Sequence, residues 1–134
     1  MKTVFLSYFT TLIVFVAVDF IWLSVMANVL YKPILGEMLA PQFRLAPAVV
    51  FYLIYAAGLA FLAVKPGLAS GSLGTSFAYG AIVGLLAYAT YDLTSHAVMK
   101  NWSTLLSVAD IAWGTLLSAI AASAGFWITQ KFAE

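Results

Sequence analysis

Cysteine is absent from all 134 residues, which excludes disulfides, thiolate nucleophiles and thiolate metal sites together. Charge is nearly as scarce. Lysine, arginine, aspartate and glutamate make up 8% of the chain, against about 25% in soluble domains, so a fold surrounded by water is excluded. No two basic residues are adjacent and the formal net charge is +1. A polyanion finds nothing to bind there, and no nucleic-acid partner is expected. The single histidine cannot supply both axial ligands of a haem, and no cofactor or metal is expected. What is left is apolar: 64% of the residues, gathered into runs.

Four such runs stand between charges and turn residues, at about residues 4–25, 45–64, 75–99 and 103–128. A helix needs about 20 apolar residues to cross the roughly 30 Å of hydrocarbon in a bilayer, and each run is long enough. Strands are the poorer reading, because period-two alternation is missing. The expected fold class is all-α: a single polytopic membrane domain, built as a four-transmembrane-helix bundle with the lipid bilayer as its surroundings. The start, Met1-Lys2-Thr3 and an apolar run, is like a secretory leader. Asp19 interrupts that run, apolar character resumes through Leu30, and no small-x-small cleavage site follows. It is read as a retained first span whose helix continues toward Tyr31. Residues 32–42 mix Glu37 with Ile34, Leu35, Met38 and Leu39, which predicts a short amphipathic helix on the interface after span one. Pro66-Gly67 and Ser70-Gly71-Ser72 predict a flexible turn before span three. Lys100-Asn101 predicts a tight connection, making spans three and four an antiparallel hairpin.

An even number of spans puts both termini on one side, here side A. Lys2, Lys65 and Lys131 then fall on side A, and Lys32, Arg44 and Lys100 on side B. The positive-inside rule sees a tie, so orientation is not readable. The same tie permits dual insertion, and with it a homodimer of oppositely inserted copies.

Asp19, Asp92 and Asp110 are the acids inside the runs. A carboxylate at mid-span costs roughly 2.5–3.5 kcal/mol on insertion scales, and intramembrane acids usually face the bundle interior and serve a function. Asp19 and Asp92 lie in the last third of spans running from A to B, and Asp110 in the first third of a span running back. All three therefore approach side B, Asp92 and Asp110 at nearly one depth. Gly80, Gly84, Tyr88, Asp92 and His96 recur every four residues, as do Asp110, Gly114, Ser118 and Ala122. Small residues at that spacing let helices approach closely. Facing rows would set Asp92 against Asp110 with His96 one turn beyond. Two carboxylates so placed cannot both ionise cheaply, so they share a proton, bind a cation or accept hydrogen bonds. A second pattern joins the ends of the chain: Asp19-x-x-Trp22-x-Ser24 and Asp110-x-x-Trp113-x-Thr115. The two spans run in opposite directions, as the halves of an inverted repeat would.

At Tyr91-Asp92-Leu93-Thr94, Asp110-Ile111-Ala112-Trp113-Gly114, Asp19-x-x-Trp22-Leu23 and Phe51-Tyr52-Leu53-Ile54-Tyr55-x-x-Gly58, the chain resembles a bacterial family of small four-helix inner-membrane proteins. That family is known only as a domain of unknown function. The resemblance spans essentially the whole chain, with Ser95 standing where the pattern usually has asparagine. It implies a multi-pass protein of the bacterial inner membrane and supplies no activity, cofactor or catalytic residue.

Three functions compete. The leading one is a binding or translocation protein whose aspartates take a proton or small cationic solute from side B. Trp22 and Trp113 would offer aromatic faces, with Tyr88, Thr94 and His96 completing the site. The ligand itself is not readable. Small multidrug transporters share the size and span count, but they use a glutamate near mid-span. An enzyme is the second: paired aspartates sharing a proton, or carboxylates and His96 on a hard cation. Tyr91-Asp92 matches half of the intramembrane aspartyl protease signature, and the Gly-x-Gly-Asp half is missing around Asp110. The third is a structural or lipid-binding subunit, its aspartates held by Tyr52, Tyr55, Tyr88, Thr94 and Ser95. For all four tryptophans interface anchoring is the plain alternative, and for His96 a solvated position near side B.

Overall fold

The computed structural model describes residues 2–36 and 44–133. Among these, four helices are long and apolar enough to cross a membrane: α1 (Lys2–Leu35), α2 (Leu45–Ser70), α3 (Leu73–Val98) and α4 (Thr104–Phe132). No strand occurs among the described residues. The expected all-α, four-span bundle is what the chain forms.

Serines start the last two helices. Ser72 Oγ accepts the Thr75 amide at 3.3 Å and Ser103 Oγ the Leu106 amide at 3.2 Å, each satisfying one donor that a helix start leaves unpaired. The α2–α3 connection is only Gly71-Ser72, with Gly71 at φ +69°. Pro66-Gly67, predicted as part of a turn, instead lies inside α2, which corrects that expectation. The reason is a π turn at Ala60–Val64, closed by the Lys65 amide donating to Ala60 O. A proline lacks a donor and its ring presses on the carbonyl four residues back. Widening the preceding turn makes room, so the helix carries Pro66 instead of ending there.

The same device recurs in α1. A π turn at Ala27–Tyr31 is closed by the Lys32 amide on Ala27 O, immediately before Pro33. The helix continues through Leu35 and stops at Gly36, φ +49°. Residues 32–35, expected to open a separate interfacial helix, are thus the end of span one. The rest of that predicted helix falls outside the described residues.

α4 is the central element, packed against α3 most extensively and against α1 next. Glycines set those approaches. A Cβ on Gly80 would stand 2.8 Å from Ser118 O, and one on Gly84 would meet Gly114 O and the Ser118 side chain. A Cβ on Gly125 would meet Thr11 and Val64. The two small-residue rows of α3 and α4 therefore do face one another. Phe15, Leu59, Leu117, Ala121 and Phe126 fill the middle of the bundle. α2 divides its packing: its π turn and the residues beyond lie on α3, whereas Leu45–Leu59 leans on α1.

The cysteine-free chain is a ready background for topology. Single cysteines at Lys2 and Ser72 should label from one side of sealed vesicles and one at Asn101 from the other. Lys2 and Ser72 on opposite sides would overturn the four-span arrangement, and uniform two-sided labelling would reveal dual insertion.

Candidate functional site

Asp19 and Trp113 come from the two ends of the chain and meet because α1 and α4 are antiparallel neighbours. The Asp19 carboxylate is fully engaged: Tyr52 Oη donates to Oδ2 at 2.7 Å and Trp113 Nε1 donates to Oδ1 at 3.1 Å. The return link runs through Tyr31. Trp22 Nε1 donates to Tyr31 Oη at 3.0 Å, and Tyr31 Oη donates to Asp110 Oδ1 at 3.1 Å. The two indoles stack between these links, ring centres 4.4 Å apart and 7° from parallel. Each Asp-x-x-Trp motif thus serves the aspartate of the other, directly in one direction and through a phenol in the other.

Tyr31 reaches this position through the π turn. Nine residues on a regular α-helix make about 2.5 turns, which would set Trp22 and Tyr31 on opposite faces of α1. Underwinding at Ala27–Tyr31 rotates Tyr31 back toward the indole. Such turns recur at functional sites.

Asp92 is the odd member. It is 0% exposed, and among the described residues no N–H or hydroxyl donor reaches either carboxyl oxygen. Its interacting neighbour is the Asp110 carboxyl. The register explains the meeting: the Tyr88 ring occupies the space a Gly114 side chain would fill, and one further turn along each helix brings Asp92 to Asp110. The Asp92 backbone is pinned separately, Trp102 Nε1 donating to Ser107 Oγ at 2.8 Å and Ser107 Oγ to Asp92 O at 3.4 Å.

The structure brings Asp19, Trp22, Asp110 and Trp113 into one network, with Asp92 against Asp110. Tyr88 lies within electrostatic reach of Asp19 and Asp110, its ring edge-on to Tyr55. Thr94 is not brought there: it is exposed, and its hydroxyl donates to Thr90 O and Tyr91 O of its own helix. Back-bonding of that kind is the usual fate of a mid-helix threonine without a better partner. His96 is half-buried one turn past Asp92 and takes no part in the hydrogen-bond network. Among the described residues no three acidic or histidine side chains gather closely enough to cage a metal ion. Sequence reasoning missed Tyr31, whose only signal is its place just before Lys32-Pro33.

Asp110 also lines a crevice of about 410 Å³ with Phe51, Ala87, Tyr88 and Tyr91. It lies where Leu45–Leu59 of α2 leans toward α1 and away from α3.

A family model described as "Predicted membrane protein (DUF2177)" matches residues 4–127. Comparison with curated proteins and with solved structures finds no match.

Proposed function

Since the chain belongs to the DUF2177 family of membrane proteins, whose description carries no activity, we propose its role from the site. The Asp92–Asp110 pair, near side B of what the family resemblance implies is a bacterial inner membrane, takes up a proton or a small cationic solute for binding or translocation. One observation carries this reading: a wholly buried carboxyl that no N–H or hydroxyl donor of the described residues reaches, set against a second carboxyl. An isolated buried charge is penalised by several kcal/mol even after relaxation. Two states relieve that penalty, a proton on the pair or a cation between them, and exchange between the two is what a transport or binding site requires. The structural-subunit reading is favoured by a different residue. Asp19 has both oxygens satisfied and acts as a pin between α1, α2 and α4.

Infrared difference spectra of the purified protein across a pH step test the reading. A protonated-carboxyl carbonyl band should be present, vanish in Asp92→Asn and shift in Asp110→Asn. A spectrum with no such band, unchanged by either substitution, together with no bound cation in the purified protein, would overturn it.

A further inference from the structure

We infer that the crevice beside Asp110 is a binding site for a substituted ammonium group that arrives from the bilayer between α2 and α3. This rests on the reading of the carboxylate pair above and names the class of cation.

Three features of the walls select that chemistry. Phe51, Tyr88 and Tyr91 present aromatic rings around a single carboxylate. Aromatic faces attract ammonium ions, most strongly where water is excluded. Asp110 Oδ1 accepts from Tyr31, and the rest of its carboxyl faces Asp92, with no N–H or hydroxyl donor of the described residues on Oδ2, so a cation competes there with the proton that two facing carboxyls would share. Against it stands Asp92, wholly buried, reached by no N–H or hydroxyl donor of the described residues and facing Asp110, so the site has a second carboxyl that a bound positive charge would stabilise. Inorganic cations fit poorly. Hard ions take six or more oxygen ligands, and this crevice offers one carboxylate and two phenols. Its volume of about 410 Å³ is that of a small-molecule site and leaves room for alkyl or aryl substituents.

The route follows from the helices. Phe51 is 44% and Tyr91 59% exposed on the outward surfaces of two spans, which is where lipid lies. The gap between them opens toward side B because the first half of α2 packs on α1. An amphipathic amine dissolved in the membrane carries such a group, and so does the choline of a phosphatidylcholine headgroup. The chemistry is shared.

The test uses the full chain in phosphatidylglycerol nanodiscs, with benzyltrimethylammonium as probe and tryptophan fluorescence as readout. Trp22 reports on Asp110 through Tyr31. A saturable change is expected that sodium at equal ionic strength does not produce. Asp110→Asn should weaken it at least tenfold. Phe51→Leu and Tyr91→Leu keep bulk, remove the π face, and should each weaken it severalfold. In nanodiscs of equal phosphatidylglycerol content, and so of equal surface charge, diluted with phosphatidylcholine or with an uncharged glycolipid, weaker apparent binding beside the choline lipid identifies its headgroup as a competing occupant, and equal binding identifies the free amine. No saturable change, equal binding by sodium, or full affinity in both leucine variants would overturn the site. If the infrared band lost in Asp92→Asn is nevertheless present, the crevice fails and the carboxylate pair stands. If that band is missing as well and the purified protein holds no bound cation, both fail.

Discussion

Replacing Gly84 by valine is expected to separate α3 from α4 and to lower stability by about 3 kcal/mol, the upper end of overpacking effects. The atoms in the way are a backbone carbonyl, Gly114 O, and the buried Ser118 side chain. A flexible side chain would swing aside, but a helix backbone moves only as a whole. Displacing it would also break the register that sets Asp92 against Asp110. Gly58→Ala is the matched control, because a Cβ there meets nothing within 4 Å. Alanine also favours helix over glycine by about 0.8–1.0 kcal/mol, so this variant should be neutral or slightly stabilised. Denaturant titration in mixed micelles measures both. Equal losses in the two variants would show that the close approach of α3 and α4 is not what Gly84 secures.

The second large effect separates two aspartates that look alike in the sequence. Asp19→Ala removes the acceptor of both Tyr52 and Trp113. Each partly buried donor left unpaired costs about 1–3 kcal/mol, so a total loss of about 2–6 kcal/mol is expected. Asp92→Asn takes no acceptor from any N–H or hydroxyl donor of the described residues, its amide can still bond to the Asp110 carboxyl, and it deletes a buried ionisable group. It should be at least as stable as the parent, since a neutral amide replaces one of two facing carboxyls that cannot both ionise cheaply, while losing proton-linked cation binding. Unfolding midpoints and probe affinity, measured on the same samples, decide the matter. If Asp92→Asn unfolds more readily than Asp19→Ala, the division into pin and ligand is wrong.

The two outcomes bear on what the sequence made legible. Spans were readable because hydrophobic length is a local property, and the four long apolar runs needed no tertiary information. The facing rows were readable for a related reason: Gly80, Gly84, Gly114 and Ser118 keep one face across a hairpin too short to rotate freely. Beyond that, legibility failed where helix winding departs from 3.6 residues per turn. Pro66 and Pro33 resembled breaks, yet each is absorbed by a π turn. Tyr31 was overlooked because regular winding points it away from Trp22. Thr94 was grouped with its neighbour Asp92, although two residues along a helix turn the side chain to another face. Which oxygens would be satisfied was not legible at all. That depends on the rotation of α1 about its axis, which no short connection determines.

The crossed pairing of the two Asp-x-x-Trp motifs imposes an order on biosynthesis. A ribosome delivers α1 first, and Asp19 then enters the bilayer with its indole donor, Trp113, still unmade. Only when the last span emerges can the indoles stack and Tyr31 find Asp110. Until then Asp19 has only the Tyr52 hydroxyl that α2 supplies, and its other oxygen stays unmatched in lipid. Completing the bundle conceals it. The chain's first helix is thus certified by its last, and a molecule that stops short of α4 advertises its own incompleteness.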